Sequence, residues 1–217
     1  MTLAPGCPRC TAPLVGGAAS GAQEESWSCS EHGAGPLLWR PPTAAYDAFV
    51  AHLDRSAGFP TYLPWPMSPG WSITDFGVVT DEAGSPCATV TTCVGTSDLD
   101  GVVEVSVVSE EPGTGLGRRV AGTASDDPGD EVGVGRPAVR VRIGTHPAAL
   151  WPVSTSATDV EFDRSVLAGE AEGRWLWVVL RPASAALLLR DDWILADVGR
   201  FGPQLVEMPF GGSPPAW

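Results

Sequence analysis

Lysine is missing from this chain: all 13 basic residues among its 217 are arginine. That excludes a Walker-type lysine on a nucleotide phosphate, a Schiff base, a pyridoxal attachment and a lysine general base. A lysine-free, Ala-, Gly- and Pro-rich composition is also what a GC-rich genome produces. The nucleophile elbow G-x-S-x-G and the H-E-x-x-H zinc-protease pair are absent as well. No apolar run approaches the ~20 residues of a membrane-spanning helix. The N-terminus has neither the basic start nor the apolar stretch of a signal peptide. A reducing, cytoplasmic setting without a membrane is the expectation, and disulfides are disfavoured there. No internal repeat is present.

Basic charge is scarce too, with a formal net charge of −13. Through Pro42, Arg9 and Arg40 stand against Glu24, Glu25 and Glu31, and the rest of the chain is more acidic. A nucleic-acid partner needs a basic footprint, so none is expected.

What the chain does have is the pattern Cys7, Cys10, Cys29 and His32, or C-x2-C-x18-C-x2-H. Two tight turns, each carrying ligands three positions apart, supply the four donors of a closed tetrahedron. Pro8 stiffens the first turn, and Gly33 gives the second the positive φ such a turn often needs. Three thiolates and one neutral imidazole leave no open position for a substrate water, so the site reads as structural Zn2+. Iron is the chemical rival. A disulfide pair or ordinary buried cysteines leave the knuckle-spaced His unexplained. A segment this short buries too little apolar surface to fold alone, so metal binding and folding should be one event. Cys87 and Cys93 lie in a β-prone run, roughly 20 Å apart along an extended strand, and read as small sheet residues.

The expected fold class is α+β, mostly β: a zinc-ribbon-like module over 1–42, a connecting amphipathic helix over 43–58, and a predominantly antiparallel β domain over 59–217. Thr43 is the expected cap of the helix. Tyr46, Phe49, Val50 and Leu53 form its apolar stripe, which leaves His52 on the solvent side. Three prolines between Tyr62 and Trp71 favour a rigid extended path, where Trp65 and Trp71 pack over a sheet or, less often, form a ligand wall. Strands are expected over Trp71–Thr80, Ala88–Val94, Val102–Ser109, Ala138–Ile143, Trp175–Leu180 and Trp193–Val198. A short one is expected over Ala186–Leu189, followed by a turn at Asp191 and Asp192. Trp175–Leu180 is apolar on both faces and reads as a central strand.

Residues 112–137 form the one long irregular segment. Gly113, Gly115 and Gly117, followed by Arg118 and Arg119, resemble an anion cradle, though the G-x-G-x-G spacing matches neither the dinucleotide fingerprint nor a P-loop. Asp126, Asp127, Asp130 and Glu131 cluster without calcium-loop spacing. Arg140 and Arg142 alternate along a strand as a cationic outer face, and His146 follows it as the remaining candidate general base.

The motifs Cys7-Pro8-Arg9-Cys10, Trp27-Ser28-Cys29-Ser30-Glu31-His32-Gly33, Leu63-Pro64-Trp65-Pro66, Gly113-Thr114-Gly115-Leu116-Gly117 and Ala168 to Trp177 resemble an uncharacterised actinobacterial family with an N-terminal pair of zinc knuckles. The resemblance runs from about Cys7 to about Val198. It implies the four metal ligands and a cytoplasmic setting, and no activity. Thr11 stands where such knuckles usually place Gly.

The leading functional expectation is a non-catalytic zinc-binding scaffold that presents a protein-contact surface with Trp27 and Trp39. The rival is an enzyme or sensor binding an anionic small molecule, of phosphate, nucleotide or acyl-CoA type, at Gly113–Arg119 with Arg140, Arg142 or His146.

Overall fold

The computed structural model describes residues 3–17, 26–153, 163–190 and 193–217. The turn expected at Asp191 and Asp192 lies outside them. In chain order the strands are β1 (Ala4–Gly6), β2 (Leu14–Gly17), β3 (Ser26–Cys29), β4 (Gly33–Ala34), β5 (Leu37–Arg40), β6 (Tyr62–Pro64), β7 (Ser72–Thr80), β8 (Pro86–Ser97), β9 (Gly101–Glu110), β10 (Val139–Ile143), β11 (His146–Pro152), β12 (Ser165–Ala171), β13 (Arg174–Arg181) and β14 (Ile194–Asp197). Helices α1 (Tyr46–Arg55) and α2 (Leu116–Ala121) and three 3-10 turns complete the set.

Eleven strands form one sheet in the order β1-β5-β7-β8-β9-β13-β12-β11-β10-β14-β6, antiparallel except for the β10–β14 pair. The apolar run Trp175–Leu180 lies within β13, sixth of the eleven, so the expectation of a central strand holds. Alternation on β13 separates two cores. Leu176, Val178 and Leu180 join Val103, Val105 and Val107 on one face, while Trp177 and Val179 join Val108, Leu116 and Val120 on the other. The first core also holds Tyr62 of β6 and Leu195 of β14, strands from the far end of the order, so the sheet curls back over it.

Threonine closes that curl. Thr89 and Thr91 project from β8 and donate their hydroxyls to the carbonyls of Pro60 and Tyr62, both at 2.6 Å. The edge strand β6 thereby loses its exposed acceptors to side chains instead of to another strand. The prolines of this segment, expected to prevent ladder pairing, still permit Tyr62–Pro64 to pair with β14.

Both ends of the cysteine-bearing segment enter the large sheet: β1 pairs with β5, and β5 with β7. Between them, β2, β3 and β4 make a separate three-stranded sheet.

Several expectations give way. Helix α1 starts at Tyr46 behind Ala45, without a side-chain cap from Thr43. Its inward face is Ala48, Phe49 and His52, whereas Tyr46 and Val50 are exposed. His52 is therefore fully buried. Its ring stacks on Phe49 at 5.6 Å and its Nε2 meets the Thr61 hydroxyl at 3.1 Å, so a planar ring with one satisfied nitrogen serves as a core aromatic. Burial holds its pKa down at about 3, which keeps it neutral. Ala186–Leu189 is not a strand but part of a 3-10 helix spanning Ala183–Arg190, which buries Ala185 and Leu189 in the first core. The irregular stretch 112–137 contains α2. Trp39, expected on a free surface, donates its indole N–H to Thr80 at 3.0 Å and lies beneath the Arg55 guanidinium, 4.0 Å from the ring centroid.

Replacing Thr89 or Thr91 by Val keeps the shape and orphans a buried carbonyl. Each should lower unfolding free energy by about 1–3 kcal/mol in urea titrations. A neutral effect at both would show that the hydroxyls do not close the sheet.

Candidate metal centre

Cys7 precedes the first knuckle turn, Cys10 ends it, Cys29 closes β3, and His32 sits in the turn before β4. The ligand atoms of these four residues lie within 4.8 Å of one another. Nδ1 of His32 is 3.7, 3.3 and 3.7 Å from the sulfurs of Cys7, Cys10 and Cys29, and the Cys10 and Cys29 sulfurs are 3.5 Å apart. A tetrahedron with metal–sulfur bonds of about 2.3 Å and metal–nitrogen bonds of about 2.0–2.1 Å has edges of roughly 3.5–3.8 Å. The four separations given are close to that size, and the group could hold a metal ion. All five cysteines are free, so no disulfide competes.

The local electrostatics suit a cation. Burial raises the Cys29 thiol, but the Glu31 N–H, the His32 side chain and its backbone N–H draw it down to about 6. Burial and the neighbouring sulfurs push Cys10 up to about 12. Sulfurs this close do not all ionise together unless a positive charge sits among them. Cys87 and Cys93 stand apart on β8, where burial lifts their thiols to about 11 and about 12; they are sheet residues, as expected.

The knuckle is fastened to the large sheet by arginines. Arg9, between the first two cysteines, donates to the carbonyls of Gly113 at 2.6 Å and Thr114 at 3.3 Å. It also lies 3.8 Å from the Asp126 carboxylate, which Arg118 pairs with at 3.0 Å. Arg119 donates to the carbonyls of Cys7 and Trp217, and the Trp217 ring is flanked by Arg40 and Arg119, 4.1 and 5.1 Å from its centroid. Gly115 has φ +83°, and a Cβ there would meet Arg9 Cγ at 2.9 Å. The glycine is required both by the turn and by the close passage of Arg9.

The N–H groups of the glycine segment, expected to receive an anionic ligand, are turned in part onto a carboxyl of the chain itself. Glu110, fully buried at the end of β9, accepts N–H bonds from Leu116 at 2.9 Å and Gly117 at 3.0 Å on one oxygen and from the Trp177 indole at 2.6 Å on the other. Gly113 N–H is taken by Asp127 at 2.9 Å. A Cβ at Gly117 would collide with the Trp177 ring, so glycine is needed where helix and indole close on the carboxylate. Burial lifts the Glu110 pKa to about 7, even though three N–H donors favour its ionised form.

The other candidates do not join this loop. Arg140 and Arg142 point outward from β10, with Val141 inward. His146 begins β11 and is exposed beside Glu170 and Glu172. In the sheet, β11 and β10 are the third and fourth strands beyond β9, roughly 14–19 Å along the sheet surface. Arg9, Glu110, Asp126 and Trp217 are the partners that pattern reading missed. Arg9 left a signal as the charged residue inside the Cys-Pro-Arg-Cys turn, and Asp126 as a member of the carboxylate cluster after the glycines.

Residues 1–217 match the model of a family of unknown function, DUF6758. The chain belongs to that family. No curated protein and no solved structure matches it. Among the described residues, no helix is long and apolar enough to cross a membrane. For this DUF6758 chain, function has to be argued from its own residues.

Glu110 titrates higher folded than its ordinary unfolded value of about 4.3. The folded state holds the proton longer, so this group's contribution is complete below about 4.3 and is lost as pH rises through about 7. Glu110→Gln, which turns an amide NH2 toward N–H donors, should be less stable than the native chain at low pH. The gap should narrow as pH rises from about 5 to about 8. Chemical denaturation of both proteins across that range checks this; a gap independent of pH contradicts the assignment.

Proposed function

We propose that the chain is a non-catalytic, cytoplasmic zinc-binding protein. The ion locks a zinc-ribbon-like N-terminal segment onto the β-sheet and so builds a rigid protein-interaction or scaffold surface. The observation that carries this reading is the donor set itself, three sulfurs and Nδ1 of His32 all within 4.8 Å of one another, with four of their separations at 3.3–3.7 Å. Zinc, with no geometric preference of its own, suits a mixed Cys3His set, and free thiols at this spacing suit a reducing compartment. The contact surface falls on the small sheet β2-β3-β4, where Val15 is 63 % exposed, and not on Trp39, whose ring and N–H are both engaged.

An anionic small molecule at Gly113–Arg119 is the weaker reading. The Leu116 and Gly117 N–H groups already hold Glu110, Arg118 pairs with Asp126, and Arg119 holds two carbonyls.

Elemental analysis of protein purified without added metal should find about one zinc per chain. Cys10→Ser should lose it along with the ordered N-terminal segment, read by proteolysis. Native protein without bound metal, or with iron instead, overturns the zinc assignment. Thermal shifts against phosphate, nucleotides and acyl-CoAs should be flat, and a saturable shift abolished by Arg118→Ala would restore the anion reading.

A further inference from the structure

Outside the metal centre, one cavity is walled by tryptophan. Trp65 follows β6, Trp71 precedes β7 and Trp193 precedes β14, and the three line a cavity of about 190 Å3 with Met67 and Pro66 beside them and Cys93 among the lining residues. Among the described residues, no charged side chain lines it. The backbone of each tryptophan is pinned. Trp65 N–H donates to Ile194 O at 2.9 Å, Trp71 N–H to Ser68 O at 3.1 Å, and Trp193 O accepts from Arg142 N–H at 2.8 Å. The Trp71 and Trp193 rings meet at 77° with centroids 6.3 Å apart, which makes two perpendicular walls. Trp65 is braced from behind by Phe201 at 5.0 Å and 71°. Trp71 lies across Gly95 of β8, where any Cβ would overlap its ring, so the chain gives up a side chain to seat this indole.

We propose that Trp65, Trp71 and Trp193 form an aromatic cage for an organic cation of the quaternary-ammonium class. This goes beyond the zinc scaffold and does not depend on it. Three observations select a cation over a neutral apolar group. Indole is the strongest cation–π partner among the aromatic side chains, and three of them line one small space. Three rings of the protein already carry a guanidinium group of the chain itself: Arg40 and Arg119 lie on Trp217, Arg55 on Trp39, Arg174 on Phe59. None of these four pairs involves the cage, whose three rings all remain half-buried around a common space. A net charge of −13 also raises the local concentration of cations. The volume selects a head group. It lies below the roughly 300–1,000 Å3 of sites for larger ligands, which excludes a nucleotide or acyl-CoA and leaves room for a trimethylammonium group.

The test is calorimetric titration of the full chain as purified with choline and, separately, with its neutral carbon isostere 3,3-dimethyl-1-butanol, at constant ionic strength. Choline should bind saturably and roughly tenfold more tightly than the isostere, the margin expected of a desolvated cation–π site. Trp65→Leu and Trp193→Leu, made separately, keep apolar bulk and remove an indole face. Each should cut choline affinity several-fold while leaving isostere binding and the far-ultraviolet circular dichroism unchanged. Equal affinity for the two probes would mean a merely apolar pocket and overturn the proposal. So would no choline binding at tens of millimolar, or full affinity in both variants.

Discussion

A single buried carboxylate organises the region on which the metal centre rests. Glu110 ends β9 and collects the first two free N–H groups of α2 together with the Trp177 indole. Those bonds hold the turn at Gly113–Gly115 so that the carbonyls of Gly113 and Thr114 face outward, where Arg9 of the knuckle reaches them. A buried carboxyl group without hydrogen-bond partners costs free energy, so the helix start and Glu110 oblige each other. The knuckle is thus seated on a platform the large sheet has already built, and it carries the four donors that could hold a metal ion.

Arginine carries the rest of that attachment, which gives the lysine-free composition a structural meaning. Two guanidinium groups each do two things at once: Arg119 donates to two carbonyls while lying over Trp217, and Arg40 pairs with Asp75 at 2.8 Å while also lying over that ring. A planar fork that stacks and donates in fixed directions can do this, whereas an ammonium cannot. Asp75 is 1 % exposed, and burial holds its pKa up at about 6 despite Arg40. Guanidinium groups also lie over the Trp39 ring, from Arg55, and the Phe59 ring, from Arg174.

The curl of the sheet links these two regions. It brings β6 and β14 over β8 and β9, so one core is enclosed between strands distant in the order. The outer face of the same strands is left for α2, Trp217 and the knuckle. Thr89 and Thr91 make the curl possible by satisfying β6 without a further strand.

Much of this was legible in the residue order, and the boundary between what was and was not is physical. Spacings of three residues bring ligands together within one turn, so Cys7, Cys10, Cys29 and His32 could be grouped without a fold. Two-sided apolar runs such as Trp175–Leu180 must be central because no solvent face is available to them. The glycine segment was visible as a set of N–H donors, but their partner was not, because Glu110 approaches only through the packing of α2 against β13. His52 was placed outside by helical periodicity and inside by the fold, since an imidazole beside Phe49 and Thr61 can be stacked and hydrogen-bonded as a neutral ring. Patterns within a few residues act through local geometry, which order alone dictates. The pairing of Arg9 with Gly113, Arg119 with Cys7, and Trp71 with Trp193 spans most of the chain, and such pairs exist only once the sheet has curled.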